Sequence, residues 1–282
     1  MQTPFISVQD VHFAYPDGTK ALFGVSMDIY KGEMLAIIGQ NGSGKTTIVK
    51  HFNGLLKPTT GDVLVDGVSV KSQTAGKLAQ KVGYVYQNPS LQLFSKSVRT
   101  EISFGLKLLK KPEEEIKKKV EEVLRLVGLW EKADEYPFLL TMGEKQRVAI
   151  AAVLALGPEV LIVDEPTTGQ DFKRAYQFLE LFDYLNKKEG KTILFITHEM
   201  RFTTEFANRT IVMADGKVWM DGPTREVFLQ ADRLGQALVT PPEIVQLSCK
   251  SMSLGLSEGC MTTRDLYRCV KEKALDRACA NE

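Results

Sequence analysis

The stretch from Gly39 to Thr46 constrains this chain more than any other part of its sequence. It reads Gly-Gln-Asn-Gly-Ser-Gly-Lys-Thr, follows the apolar run Leu35–Ile38, and precedes a segment that predicts a helix from about Lys45 to Leu55. Glycine lets the backbone turn its N–H groups inward, and these groups together with a helix N-terminus form an anion-binding concavity. The pattern therefore predicts a phosphate-binding loop between a buried strand and a helix.

The residues of this loop have separable expected roles. Lys45 supplies a positive charge for the outer phosphates of a nucleotide, and the Thr46 hydroxyl is an oxygen ligand of the kind that Mg²⁺ prefers. The residues expected to bind the nucleotide are Gly39, Asn41, Gly42, Ser43, Gly44, Lys45, Thr46 and Thr47.

A second candidate site lies where other apolar runs end. Val160–Val163 is followed directly by Asp164 and Glu165, and His198 comes soon after the run Thr192–Ile196. Ligands of open α/β sheets bind at the carboxyl ends of strands. We expect Asp164 to bind Mg²⁺, Glu165 to orient and deprotonate an attacking water, and His198 to contact the terminal phosphate.

Apolar strand patterns alternate with helical patterns along most of the chain, which favours a sheet with helices on both faces. The predicted fold class is α/β: a P-loop ATPase core with a mostly parallel sheet, an antiparallel β subdomain, a helical subdomain and a small C-terminal accessory domain. We place a nucleotide-binding domain at residues 1–222, with the helical subdomain inserted at about 89–157. The accessory or dimerisation segment spans residues 223–282.

Composition limits the remaining classes of function. The 282 residues carry a net charge of +1, which gives no electrostatic case for nucleic acid as a partner. The apolar runs are shorter than the roughly 18 residues that a membrane-spanning helix needs, and we expect no secretion signal. All four cysteines follow residue 248 without a C-x2-C pair, so we expect free thiols in the cytosol and no zinc site.

These motifs, in this order, resemble the ATP-binding subunit of ABC transporters over about residues 5–222. The resemblance implies ATP and Mg²⁺ as cofactors. It also implies that Tyr15 stacks on adenine, that Gln87 senses Mg²⁺ and contacts a membrane partner, and that Asp171 is the acid of the D-loop at residues 168–171. The implied catalytic residues are Glu165, His198 and Gln87, and the implied Mg²⁺ ligands are Thr46, Gln87 and Asp164.

Further features are similar to the energy-coupling-factor branch, whose members take up vitamins, cobalt or nickel. They are the stretch Gln87–Phe94, the Thr-Gly-Gln-Asp form of the D-loop, the run Asp215–Pro223 and the tail Pro241–Leu247. This resemblance implies three partners: a second ATPase subunit or a second copy in a head-to-tail dimer, a transmembrane coupling subunit, and a membrane substrate-binding subunit. We therefore expect a peripheral protein on the cytoplasmic face of the membrane, docked near Leu93 and Phe94.

The signature motif departs from the family pattern. Where the family has Leu-Ser-Gly-Gly-Gln, this chain has Leu140 followed by Thr141, Met142, Gly143 and Glu144. Met142 adds a bulky side chain where backbone approaches phosphate, and Glu144 places negative charge near a polyanion. Because the family's signature acts in trans, we expect an asymmetric heterodimer in which the site that uses this signature is weak. The alternative is that the altered signature is simply tolerated.

Other classes of function remain alternatives. A P-loop machine acting on DNA would need a long coiled-coil insertion, for which too few residues separate Lys45 from Leu140. A ribosome-acting ABC protein usually carries two units in one chain. An ABC importer of another branch, or an inert nucleotide-sensing subunit, would share most of these motifs.

Overall fold

A computed structural model describes residues 3–167, 170–252 and 259–279. The strands are β1 Ile6–Ala14, β2 Lys20–Ile29, β3 Met34–Gly39, β4 Thr60–Val65, β5 Val68–Ser69, β6 Val82–Val85, β7 Val160–Asp164, β8 Thr192–Ile196, β9 Arg209–Ala214 and β10 Lys217–Pro223. The α-helices are α1 Lys45–Phe52, α2 Ala75–Leu78, α3 Val98–Leu108, α4 Glu113–Leu126, α5 Met142–Ala155, α6 Phe172–Glu189, α7 Met200–Phe206, α8 Thr224–Phe228, α9 Ala231–Gln236, α10 Glu243–Met252 and α11 Thr263–Cys279.

Within these residues, six strands form a sheet in the order β10-β9-β3-β8-β7-β6. All neighbours are parallel except β9 and β10, which pair antiparallel. Every residue of β3, β7 and β8 is buried, as expected of parallel strands covered on both faces. The mostly parallel sheet predicted from the apolar runs is therefore confirmed. Its carboxyl edge carries Gly39 at the end of β3 and Asp164 at the end of β7, with the end of β8 between them.

A second, antiparallel sheet has the order β2-β1-β4-β5. Its alternating strands bury Ile6, Val11 and Val25 in the same hydrophobic cluster as Ile37 and Ile48 of the phosphate-loop region. Alternation of buried and exposed positions is the period that a half-covered sheet requires. This confirms the predicted antiparallel subdomain and explains how it supports β3 and α1.

The helical part between β6 and β7 is built from α3, α4 and α5. Ser97 caps α3, since its side chain accepts a hydrogen bond from the backbone N–H of Thr100. Pro112 immediately precedes α4, whose first turn is acidic, as the helix dipole favours. The buried face of α4 carries Ile116, Val120, Val123 and Leu124, which are the positions that the helical spacing predicts.

The segment after β10 has, in its described part, the helices α8, α9, α10 and α11 as its regular elements. Its buried residues Val227, Phe228 and Val245 lie in the same hydrophobic cluster as Val212 of β9 and Met220 of β10. The boundary at residue 223 stays a prediction. Within the described ranges, no helix combines the length and the apolar character needed to cross a bilayer.

Candidate nucleotide-binding site

The phosphate loop lies at the carboxyl edge of the parallel sheet, between β3 and α1. Gly39 has a φ of +143°, and a Cβ atom there would lie 2.1 Å from the carbonyl oxygen of Met213. Gly44 precedes α1 with a φ of +97°. Both residues have a backbone conformation that disfavours any side chain, and at Gly39 a side chain would also collide with the Met213 carbonyl oxygen.

Lys45 and Ser43 place a buried ammonium and a buried hydroxyl in this loop. The ammonium of Lys45 donates hydrogen bonds to the carbonyl oxygens of Gly39 (2.8 Å) and Gln40 (2.7 Å). Burial lowers the pKa of Lys45, while the carboxylates of Glu165 and Asp164 oppose that shift. Ser43 Oγ is buried and, among the described residues, has no hydrogen-bond partner. A buried cation and an unsatisfied hydroxyl in one loop fit a polyphosphate.

Asp164 is held by two hydroxyl groups. Thr46 Oγ1 donates to Asp164 Oδ2 at 2.9 Å, and the Tyr84 hydroxyl donates to the same oxygen at 2.7 Å. Burial raises the pKa of Asp164, and both hydrogen bonds hold it down. The pKa of Tyr84 is raised by burial and then by the Asp164 charge. The adjacent hydroxyl and carboxylate oxygens of Thr46 and Asp164 fit Mg²⁺, a hard cation that takes oxygen ligands.

Sequence reasoning missed Tyr84. It pairs with Ile162 across the parallel strands β6 and β7, and Ile162 lies two residues before Asp164. Alternate residues of a strand share a face, so Tyr84 and Asp164 point to the same side. This relationship follows only once the two strands are known to be neighbours in that register.

The three residues predicted to be catalytic meet at Glu165. Its carboxylate accepts a hydrogen bond from Gln87 Nε2 at 3.1 Å, and its Oε1 lies 2.8 Å from His198 Nε2. Its backbone N–H donates to the carbonyl oxygen of Ile196, which ties the end of β7 to the end of β8. The φ of Glu165 is +48°, an unfavourable value for a residue with a side chain. The surrounding contacts thus hold the carboxylate in a strained, specific position.

The remaining nucleotide-binding candidates surround this centre. The Tyr15 hydroxyl lies 2.9 Å from Thr47 Oγ1, so the aromatic ring stands against the first turn of α1. Asn41 and Gly42 are exposed. A cleft of about 510 Å³ opens beside the loop, and sequence reasoning did not foresee the part of its wall that comes from residues 238–240. Its lining residues are Gly39, Gln40, Asn41, His198, Met200, Leu238, Val239 and Thr240.

The altered signature forms the start of α5, which begins at Met142. Thr141 and Glu144 make a reciprocal capping box: the Glu144 carboxylate accepts hydrogen bonds from the Thr141 N–H (2.9 Å) and hydroxyl (2.8 Å). Lys132 Nζ lies 2.8 Å from the same carboxylate. The hydrogen bond from Lys132, together with those from Thr141, lowers the pKa of Glu144 to about 2. Lys132 and Glu144 lie in separate elements, so only the fold brings these two side chains together.

Asp171, the predicted acid of the D-loop, caps α6. Its Oδ1 accepts a hydrogen bond from the backbone N–H of Arg174 at 3.0 Å. Two other residues of that predicted loop, Thr168 and Gly169, lie outside the described residues. The side-chain contacts described for Asp171 are with Arg174 of α6.

Comparison with known proteins identifies the family. The ABC transporter domain family matches residues 22–168. This chain belongs to the ABC transporter family. Its solved relative cbiO1 from Clostridium perfringens, described as part of the ABC transporter complex cbiONQ, superposes with a TM-score of 0.75 at 37% identity, covering 87% of this chain and 99% of cbiO1. The predicted α/β class with an ATPase core is thereby confirmed.

Two curated relatives refine the comparison. An energy-coupling factor transporter ATP-binding protein EcfA of Methanocaldococcus jannaschii is 39% identical over 244 residues, 86% of this chain and 87% of the relative. A putative ABC transporter ATP-binding protein of Caldanaerobacter subterraneus is 43% identical over 266 residues, 94% of this chain. The chain spans 46% of that relative's length, less than half. The resemblance to energy-coupling-factor ATPases is confirmed.

Proposed function

We propose that this chain is the ATP-hydrolysing subunit of an energy-coupling-factor type ABC importer, which drives uptake of a vitamin or metal ion through membrane subunits. The observation that carries the proposal is the convergence of Gln87 and His198 on the Glu165 carboxylate, beside the buried Lys45 of the phosphate loop. The similarity to EcfA and cbiO1 supports the importer branch.

In this mechanism the phosphate loop binds the nucleotide. Lys45, the Ser43 hydroxyl and the loop N–H groups bind the phosphates, and Tyr15 stacks on the adenine. Thr46, Asp164 and Gln87 would hold Mg²⁺, which would neutralise charge on the phosphate oxygens.

Glu165 is the general base of the proposed reaction. Its carboxylate orients a water molecule and takes a proton from it as the water oxygen bonds to the terminal phosphorus and the bond to the ADP oxygen breaks. His198 holds Oε1 of Glu165 and contacts the terminal phosphate, and Gln87 holds the other carboxylate oxygen. The strained backbone of Glu165 keeps this group aimed at one position.

The second ATP site of the proposed head-to-tail dimer uses the signature residues Thr141 to Glu144. In this chain the carboxylate of Glu144 caps the helix end where an anion would bind, and the Thr141 hydroxyl is committed to that cap. A phosphate at this helix end would meet the Glu144 charge, offset in part by Lys132. This supports a heterodimer in which a second ATPase provides the stronger signature.

The proposed contact with the transmembrane coupling subunit lies on the helical part. Leu93 is buried and packs internally, whereas Phe94 is 60% exposed, so only one of the two predicted docking residues is available. Phe94 packs edge-to-face on the exposed Phe104 at 4.7 Å between ring centroids. Leu91 and Leu108 are also exposed. Docking here would place the chain on the cytoplasmic face of the membrane, as proposed.

Co-purification tests the branch. We expect the tagged chain, extracted from its native membrane in mild detergent, to bring down a second ATPase, a transmembrane coupling protein and a small substrate-binding membrane protein. Recovery with a two-domain permease and a periplasmic-type binding protein would instead indicate another ABC importer branch. Recovery with ribosomes would indicate a non-transport ABC ATPase.

A further inference from the structure

Two cysteines outside the nucleotide site lie side by side. The thiol of Cys260 donates a hydrogen bond to the sulfur of Cys269 at 3.4 Å. Cys260 is buried, and Cys269 is half-buried. A disulfide bond is about 2.05 Å long, so the two sulfurs must approach by roughly 1.4 Å for the bond to form. We propose that Cys260 and Cys269 form a thiol–disulfide site that a small disulfide oxidises.

One side of this pair is anchored to the body of the protein. The backbone N–H of Cys260 donates to Ser248 Oγ of α10 at 2.7 Å. The next residue, Met261, belongs to the main hydrophobic cluster. Gly259 adopts a φ of +61°, where a Cβ atom would lie 3.1 Å from Cδ2 of Leu229. Cys260 therefore sits in a short segment fixed against α8 and α10.

The other side is a surface helix. From Thr263 to Glu272, the part of α11 whose side chains are described, no residue is buried. A helical stretch without buried apolar side chains, such as residues 263–272, opens more easily than the core. A bond from Cys269 to Cys260 would attach this helix covalently to the anchored segment, which makes oxidation a means of holding α11 in place.

The order of reaction follows from accessibility. Cys269 is the more exposed sulfur, and burial raises the pKa of the Cys260 thiol, so the Cys269 thiolate meets the oxidant first. It attacks one sulfur of oxidised glutathione, forms a mixed disulfide and releases one glutathione. Cys260, after loss of its proton, then attacks the Cys269 sulfur and releases the second glutathione. The pair loses two electrons and two protons, and one disulfide becomes two thiols.

A third cysteine is not part of the proposed pair. Cys249 of α10 packs against the main hydrophobic cluster. Disulfides that form in a reducing compartment are usually transient and redox-sensing, which fits a pair in contact as free thiols. The proposed site is independent of the nucleotide site, so either proposal can fail without the other.

The test uses the full chain carrying C249A and C279S, so that only the pair remains. After exposure to oxidised glutathione, intact mass spectrometry should show the loss of two hydrogens with no retained glutathione. With C260A added, the same treatment should leave one glutathione on Cys269. With C269A added instead, the buried Cys260 should react more slowly. Glutathione retained on Cys269 when both thiols are present would overturn the proposal, as would disulfide-linked dimers.

The unsubstituted chain provides a second measurement should these variants fold poorly. Oxidised protein, alkylated and digested without reduction, should yield a peptide that links Cys260 to Cys269. Limited trypsin cleavage after Arg264 and Arg268 should slow by on the order of tenfold on oxidation and recover with dithiothreitol. A linkage of Cys260 to any other cysteine would overturn the site, and unchanged cleavage would overturn its role in holding α11.

Discussion

Nε2 of His198 lies 2.8 Å from Oε1 of Glu165, and this contact joins the ends of two neighbouring parallel strands. Asp164 and Ile196 are register partners at the ends of β7 and β8. The residues that follow them therefore leave the sheet at the same edge. There the Glu165 carboxylate also accepts a hydrogen bond from Gln87 Nε2. The proposed general base, its two polar contacts and the phosphate loop meet there because parallel strands end together.

Replacing Glu165 with Gln should abolish turnover and retain nucleotide binding. The amide keeps the size of the side chain and can still contact Gln87 and His198, but it cannot take a proton from water. We expect phosphate release by the assembled transporter to fall at least about 100-fold, with little change in ATP affinity. Glu159→Gln, an exposed acid just before β7, is the control. Persistent turnover in Glu165→Gln would assign the base to another residue.

Replacing Lys45 with Ala should remove most of the nucleotide affinity. The change deletes a buried ammonium that contacts two loop carbonyls and supplies the positive charge for phosphate. We expect ATP affinity, measured by calorimetry, to fall on the order of 100-fold. Lys118→Ala, on the exposed face of α4, should bind ATP as the unchanged protein does. Equal affinity in both variants would contradict the phosphate-loop assignment.

Replacing Tyr84 with Phe should destabilise the protein. It removes the 2.7 Å hydrogen bond to the buried Asp164 carboxylate while keeping the ring. A hydrogen bond to a charged group contributes about 1.5–3 kcal/mol, so the free energy of unfolding in urea should fall by that amount. Tyr86→Phe removes a hydroxyl from the ring packed edge-to-face on Tyr84 and is the matched control. Equal losses in the free energy of unfolding for the two variants would show that the hydrogen bond to Asp164 contributes no extra stability.

Replacing Glu144 with Gln should strengthen the altered signature. The amide oxygen can still cap Thr141, so losing the partly exposed ion pair with Lys132 should change the free energy of unfolding by on the order of 1 kcal/mol. In a Glu165→Gln background, however, ATP-dependent self-association should tighten by on the order of tenfold, since a negative charge leaves the start of α5. Sedimentation experiments measure the strength of this self-association. Glu135→Gln, the other acid near Lys132, should not change it, and unaltered association in Glu144→Gln would contradict the charge argument.

His51 should make stability fall in mild acid. Its ring is fully buried with Nδ1 hydrogen-bonded to the Thr47 carbonyl oxygen, and burial lowers its pKa below the usual 6.5. Below pH 6.5 the unfolded chain binds a proton that folded His51 resists, so the free energy of unfolding declines, by up to about 1.4 kcal/mol per pH unit. His51→Asn, which can still donate to Thr47, should lose this part of the pH dependence in urea unfolding between about pH 7.5 and 5.5. His12→Asn, at an exposed site, should retain this pH dependence. If the unchanged protein, His51→Asn and His12→Asn all show the same pH dependence of unfolding, His51 is excluded as its cause.

Local patterns in the sequence were sufficient for the phosphate loop and for the class of fold. The constraint at Gly39–Thr46 is carried by consecutive residues: glycines that permit positive φ, then a lysine and a threonine at the start of a helix. The apolar runs that became β3, β7 and β8 likewise predict buried parallel strands, because burial on both faces leaves a continuous apolar signal.

Contacts between distant segments were decided only by the tertiary structure. Tyr84 reaches Asp164 because β6 and β7 are neighbours in one register, and Lys132 compensates Glu144 because a turn after α4 folds against α5. Leu93 is buried and Phe94 exposed, although both are apolar and adjacent, because packing against other helices selects one side of the chain. Cys260 and Cys269 are likewise brought into contact only by the packing of α11 against the segment before it. A sequence pattern shows what each residue can do, whereas which partner it meets depends on how separate elements pack.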